Sequence, residues 1–101
     1  MDLEELTELM HTFVRAQGWY ESESPRPQTP RNLAMALSVE AAEVLELFHW
    51  NRDQPSTSEL GAELADVTLY LVQLASISGV DLEQAVRDKL AENYDRSWPE
   101  Q

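Results

Sequence analysis

Cysteine is missing altogether and basic residues are scarce: seven Lys and Arg stand against nineteen Asp and Glu, a formal charge of −12. Without cysteine there are no disulfides and no thiolate metal sites, which fits a reducing compartment. Without a basic stripe to neutralise phosphates, nucleic acid polymers and anionic membranes are poor partners. Glycine is also sparse, at three residues, and β-branched runs are few, so a β fold is not expected. The longest apolar run, Val67 to Val80, is interrupted by Thr68, Gln73 and two Ser and reads as too short for a membrane span. The N-terminus, MDLEELTEL, is acidic and amphipathic, unlike a signal peptide. The expectation is a soluble, cytoplasmic protein.

What is present is core material: 43% hydrophobic residues and three Trp in 101 positions. That argues against general disorder and for one domain, residues 1–101, or one subunit whose core is completed by partners. An all-α fold of four helices is expected. The first runs from about Leu3 to Gln17, with Leu3, Leu6, Met10, Phe13 and Val14 on one stripe and Gly18 beyond its end. A loop from Glu21 to Arg31 follows, in which Pro25, Pro27 and Pro30 forbid helix. The second helix starts near Asn32 as N-cap and ends near Trp50 or Asn51. Ser56 or Ser58 caps a third that reaches Ser78 before Gly79, and Asp81 caps a fourth from Leu82 to about Arg96, closing before Pro99.

Helices two and three are apolar on more than one side. Leu33, Leu37, Val44, Leu47 and Phe48 form one stripe of helix two, and Met35, Val39 and Trp50 another. In helix three Leu60, Leu64, Val67, Leu71 and Leu74 face one way, Leu69 and Val72 elsewhere. A helix apolar on two sides must be buried on two sides, and a chain this short cannot cover both. Homo-oligomerisation follows from this periodicity.

At the margins of those stripes lie two acidic pairs, Glu40 with Glu43 and Glu63 with Asp66, each spaced i, i+3. Each pair points one way from its helix, so adjacent helices can gather the four carboxylates into a single cluster. Hard divalent ions take oxygen ligands, and Mg²⁺ is usually held by carboxylates together with substrate phosphates. The spacing suggests a metal-dependent phosphate enzyme. Glu46, Glu4, Glu5, Glu8, Glu59 and Glu92 read as ordinary surface charge. A rival reading, a di-iron carboxylate bundle, rests on Glu8-x-x-His11 and Glu46-x-x-His49, pairs that lie off the inward stripes. Another is a non-catalytic helical interaction or regulatory subunit.

The ordered set Glu40-x-x-Glu43, His49-Trp50, Glu63-x-x-Asp66 and Tyr70 resembles the signature of the all-α nucleotide pyrophosphohydrolases of the MazG-like superfamily. It is similar most of all to their dCTP pyrophosphatase-like branch. Pro30-Arg31-Asn32-Leu33, Val80-Asp81-Leu82 and Lys89-x-x-x-Asn93-x-x-Arg96 extend the match. The resemblance implies hydrolysis of a nucleoside triphosphate, dCTP or a modified pyrimidine dNTP, to monophosphate and pyrophosphate. It implies Mg²⁺, with Mn²⁺ as a substitute, held by Glu40, Glu43, Glu63 and Asp66, and a homo-oligomer, dimer or tetramer, serving nucleotide-pool clearance. Glu43 is favoured as the base that takes the water's proton. Lys89, Asn93 and Arg96 would contact phosphates, with Arg31 a further candidate, and Trp19, Trp50 and Tyr70 would line the base site. Relatives carry a base-site His in helix one, where this chain aligns Met10 rather than His11. Trp98 reads as packing.

Overall fold

The computed structural model describes residues 1–49 and 53–98, and among them four α-helices and no strand. They are α1 (Leu3–Ala16), α2 (Pro30–Glu46), α3 (Thr57–Ile77) and α4 (Leu82–Asp95). The second helix stops at Glu46, with Leu47 as its cap, short of the end expected near Trp50 or Asn51; Trp50, Asn51 and Pro99 themselves lie outside the described residues.

Local sequence explains where each helix begins. Asp2, Thr29, Ser56 and Asp81 each accept a hydrogen bond from a first-turn backbone N–H, satisfying one of the donors that every helix start leaves open. Ser56 rather than Ser58 is the α3 cap, and Glu59 completes a reciprocal capping box with it. The start of α2 differs from expectation: Thr29 is the cap, and Pro30 opens the helix instead of forbidding it. Proline is at home in a first turn, where its φ is already helical and its missing N–H has no intrahelical partner to lose. Asn32 bonds back to the Pro27 carbonyl at 3.0 Å and ties the loop to the helix. Gly79, at φ 72°, makes the left-handed exit from α3 that a residue with a Cβ resists.

α2 and α3 pack along each other and α1 lies against α3, while α4 touches the rest sparsely. The buried core is small. Met10 and Val14 of α1 meet Val72 of α3, with Leu3, Trp19, Tyr20 and Leu82 packed around them. The most enclosed side of α3 is therefore the Val72, Gln73 and Ala75 side, not the Leu64–Leu71 stripe, which stays half open. On α2 only Leu33 is fully buried, and Met35 and Val39 of its second stripe are exposed. The radius of gyration is 16.3 Å, against about 13 Å for a compact chain of this length. α3 is also long and apolar enough to cross a membrane by length and composition, a longer apolar helix than the sequence reading allowed. Its acidic pair and its contacts with α1 and α2 supply another reason for that apolarity.

Candidate active site

Packing α2 on α3 brings the two acidic pairs together. Glu40, Glu43 and Glu63 each offer a carboxylate oxygen within 4.8 Å of the others. Asp66 is more exposed and stands at the edge, near enough for its charge to act on Glu40 and Glu63. Glu43 is central, its carboxyl close enough to act on both Glu40 and Glu63. Burial, then the bond and charge of Glu43, then the charges of Asp66 and Glu63, push Glu40 from its ordinary 4.5 up to about 7. Glu63 is raised as well, first by burial, then by Glu43, Asp66 and Glu46. Glu46, read from sequence as outward surface charge, thus adds to the cluster's repulsion. Its i, i+3 spacing from Glu43 was the available signal.

Two oxygens of this cluster, Glu40 Oε2 and Glu63 Oε2, are buried without a hydrogen-bond partner. An orphaned buried carboxylate oxygen is costly, and two in one acidic cluster are costlier. A divalent cation with oxygen preference would remove both costs, so the donor set fits Mg²⁺ or Mn²⁺. In the metal-free protein a proton must do that work instead. The folded state holds a proton that the unfolded chain has lost between pH 4.5 and about 7, so stability from this group falls as pH rises through that window. Thermal melts in chelator should show a midpoint that declines across it, and Glu40→Gln should flatten the decline. An unchanged slope in the variant would place the titration elsewhere.

Beside the acids an apolar cavity of about 260 Å³ opens between α1 and α3. Met10, Phe13, Trp19 and Tyr70 wall it, Gln28 and Gln73 line it, and Asp66 is shared with the acid cluster. Trp19 is held edge-on by Phe13, ring centroids 5.7 Å apart, and carries the Arg26 guanidinium 4.3 Å from its ring centre. Two of the expected base-site residues, Trp19 and Tyr70, therefore share one cavity, while Trp50 lies outside the described residues. Met10 takes part in this wall. His11 turns away to the Tyr20 and Ser76 hydroxyls, at 2.6 and 2.7 Å. With both ring nitrogens engaged there, His11 does not join an ExxH metal pair, and the di-iron reading loses its support.

A family model described as the MazG nucleotide pyrophosphohydrolase domain matches residues 28–97. This chain belongs to the MazG nucleotide pyrophosphohydrolase family. The mouse and human proteins named dCTP pyrophosphatase 1 are 37% and 36% identical to it over 93% of its length. The chain spans 58% of the length of those relatives. A solved pyrophosphatase from Archaeoglobus fulgidus superposes with a TM-score of 0.76 at 32% identity, covering 97% of this chain and 93% of the other. A shorter match, 50% identical over 36% of this chain, is to a cyanophage S-2L protein named dATP/dGTP diphosphohydrolase. The acidic pairs of this MazG domain, α2's and α3's, both lie inside the matched range.

Of the expected phosphate residues, Lys89 and Asn93 lie on α4 and Arg96 follows its end. α4 packs only sparsely, against α3, and buries none of its residues. Lys89 is paired with Glu92 at 3.4 Å on an exposed face. Arg96 is not on the helical face with Lys89 and Asn93, as its spacing implied. It is the extended C-cap, and its guanidinium stacks 4.1 Å from the Trp98 ring centre. Trp98 is a local clamp, its indole N–H bonding to the Asn93 carbonyl at 3.1 Å. Asn93 keeps Oδ1 buried and unpartnered. Arg31 is exposed in the first turn of α2. Sequence reasoning missed Gln28, Tyr20 and Gln73, because glutamine and tyrosine on a helix or loop carry no spacing signal of their own.

Proposed function

We propose that this protein hydrolyses a nucleoside triphosphate, dCTP or a modified pyrimidine dNTP, to the monophosphate and pyrophosphate. The observation that carries the reading is Asp66, which belongs both to the acid cluster and to the wall of the Trp19 cavity. A base in that cavity leaves its phosphates beside the carboxylates. The names of the relatives and the family match support the same activity. The cytoplasmic nucleotide pool is where such a substrate is found, and removal of unwanted dNTPs is the role the chemistry suits.

Glu40, Glu43, Glu63 and Asp66 would hold Mg²⁺, or Mn²⁺ in its place, which when bound neutralises phosphate oxygens and steadies charge on the leaving pyrophosphate. The chain's own work is positioning and proton transfer. Trp19 and Tyr70, with Trp50, hold the base, and Asp66 marks the depth at which the sugar gives way to phosphate. Glu43, central in the cluster, takes a proton from water as the water oxygen bonds to the α-phosphorus and the bond to the bridging oxygen breaks. Lys89 and Asn93 meet the phosphates from α4 of a second copy, and Arg96 from just beyond its end, because α4 packs only sparsely on its own copy. A homo-oligomer, dimer or tetramer, is therefore part of the reading, and neither nucleic acid polymers nor membranes are partners. A panel of canonical and modified dNTPs with Mg²⁺, scored by pyrophosphate release, tests it. Release from a pyrimidine dNTP that stops in chelator is expected, and silence across the panel leaves a non-catalytic helical subunit.

A further inference from the structure

One side of the apolar cavity is built from a relay of side-chain hydrogen bonds that the hydrolytic reading does not use. Gln28 donates its amide to the Arg26 carbonyl at 2.6 Å, which turns its oxygen toward α3. There it accepts from Gln73 Nε2 at 2.8 Å. The same Gln73 NH₂ reaches the Tyr20 hydroxyl oxygen at 3.3 Å. Tyr20 passes its own proton to His11 Nδ1 at 2.6 Å, with the Met10 sulfur, 4.0 Å away, the weaker acceptor. His11 in turn faces the Ser76 hydroxyl through Nε2. Burial and then Arg15 hold the His11 pKa below its ordinary value, so the neutral ring that this relay needs is the one present.

The relay fixes which way the Gln73 amide points. Its NH₂ is committed to Gln28 and Tyr20, because Gln28 is itself oriented by a backbone carbonyl that can only accept. The carbonyl Oε1 makes no hydrogen bond among the described residues. Gln73 is 3% exposed and is one of the residues that line the cavity. Gln28, Tyr70 and Asp66 are the other polar members of a mostly apolar wall, and a Gln73 carbonyl turned to a ligand there is a fixed acceptor that cannot become a donor without breaking the relay.

We propose that Gln73 is a specificity-determining residue whose carbonyl accepts a hydrogen bond from the exocyclic amino group of the base, selecting cytosine over uracil. Cytosine carries an amino donor where uracil and thymine carry a carbonyl acceptor. An oxygen facing that carbonyl leaves two buried acceptors opposed and unpaired, which is how polar pockets reject analogues. A volume of about 260 Å³ lies below the roughly 300–1,000 Å³ of sites that enclose a drug-sized ligand, as suits one base. The proposal rests on the assignment of this cavity to the base under Proposed function.

The test compares dCTP with dUTP, which differ on this edge, in the full chain with Mg²⁺. The wild type should favour dCTP in kcat/KM by about tenfold or more, one well-made buried hydrogen bond's effect. Gln73→Met, similar in length without the carbonyl, should bring the ratio towards one, chiefly through KM. Gln28→Met releases the amide to turn and should relax the ratio by a gain on dUTP, and it carries the test if Gln73→Met does not fold. A purely structural role would instead lower both substrates in parallel and leave the ratio intact. That outcome, or a wild type indifferent between the two, overturns the proposal. If no triphosphate is hydrolysed, calorimetric binding of dCMP and dUMP to the same proteins decides it: tighter dCMP binding lost in the variants supports it, and equal or absent binding of both ends it.

Discussion

Glu43→Gln should abolish Mg²⁺-dependent pyrophosphate release, a fall of roughly 10²–10⁴-fold if only proton transfer is lost and more if cation binding goes with it. The side chain lies beside both Glu40 and Glu63 and acts on each of them. The amide keeps the shape and removes the negative charge and the basicity. Asp66→Asn should fall comparably, because Asp66 links the acids to the cavity. Neither change should damage the fold. Each removes a charge from a mutually repelling group, so the metal-free thermal midpoint should hold or rise while the helical circular dichroism stays the same. Turnover near wild type in both variants would remove the acid cluster from the chemistry, and loss of helix would show that the cluster is structural instead.

Charging the open face of α4 should break the proposed oligomer. Val86, Leu90 and Tyr94 recur at i, i+4 and i+8, and they are 47%, 54% and 89% exposed, though α4 contributes no buried residue in one copy. Fully burying a side chain of this kind is worth about 1.5–3 kcal/mol, and a two-fold interface counts each contact twice. The double variant Val86→Asp, Leu90→Asp should therefore convert an oligomer to the 11.5 kDa monomer in analytical ultracentrifugation at micromolar concentration. Its thermal midpoint should drop, and its pyrophosphate release should drop too, because in the proposed oligomer Lys89 and Asn93 would act on another copy's substrate. A wild type that already sediments as a monomer at that concentration would refute the oligomer and with it the shared site.

Much of the local architecture was legible because it is written in neighbouring residues. Asp2, Ser56 and Asp81 announce helix starts through side chains that reach only as far as the next turn. Thr29 with Pro30 was misread, since the same proline that breaks a helix interior is welcome at its first position. The acidic pairs were legible for a different reason. Two i, i+3 pairs at apolar margins must face the neighbouring helix, and the packing of α2 on α3 brings Glu40, Glu43 and Glu63 into one group. Arg96 was not legible. Spacing placed it on the α4 face, but the helix ends before it and the Trp98 ring captures it.

By itself the sequence determined the all-α class, the helix limits to within a few residues and the acidic cluster, since each depends on periodicity or on side chains one turn apart. Only the tertiary structure decided that Asp66 joins the acids to the Trp19 cavity, that His11 turns away from it, and that Gln73, held by Gln28 and Tyr20, lines it. Those are contacts between residues up to 53 and 65 positions apart. Helical spacing orders a side chain around its own axis, but which partner it meets depends on how α1, the loop and α3 dock.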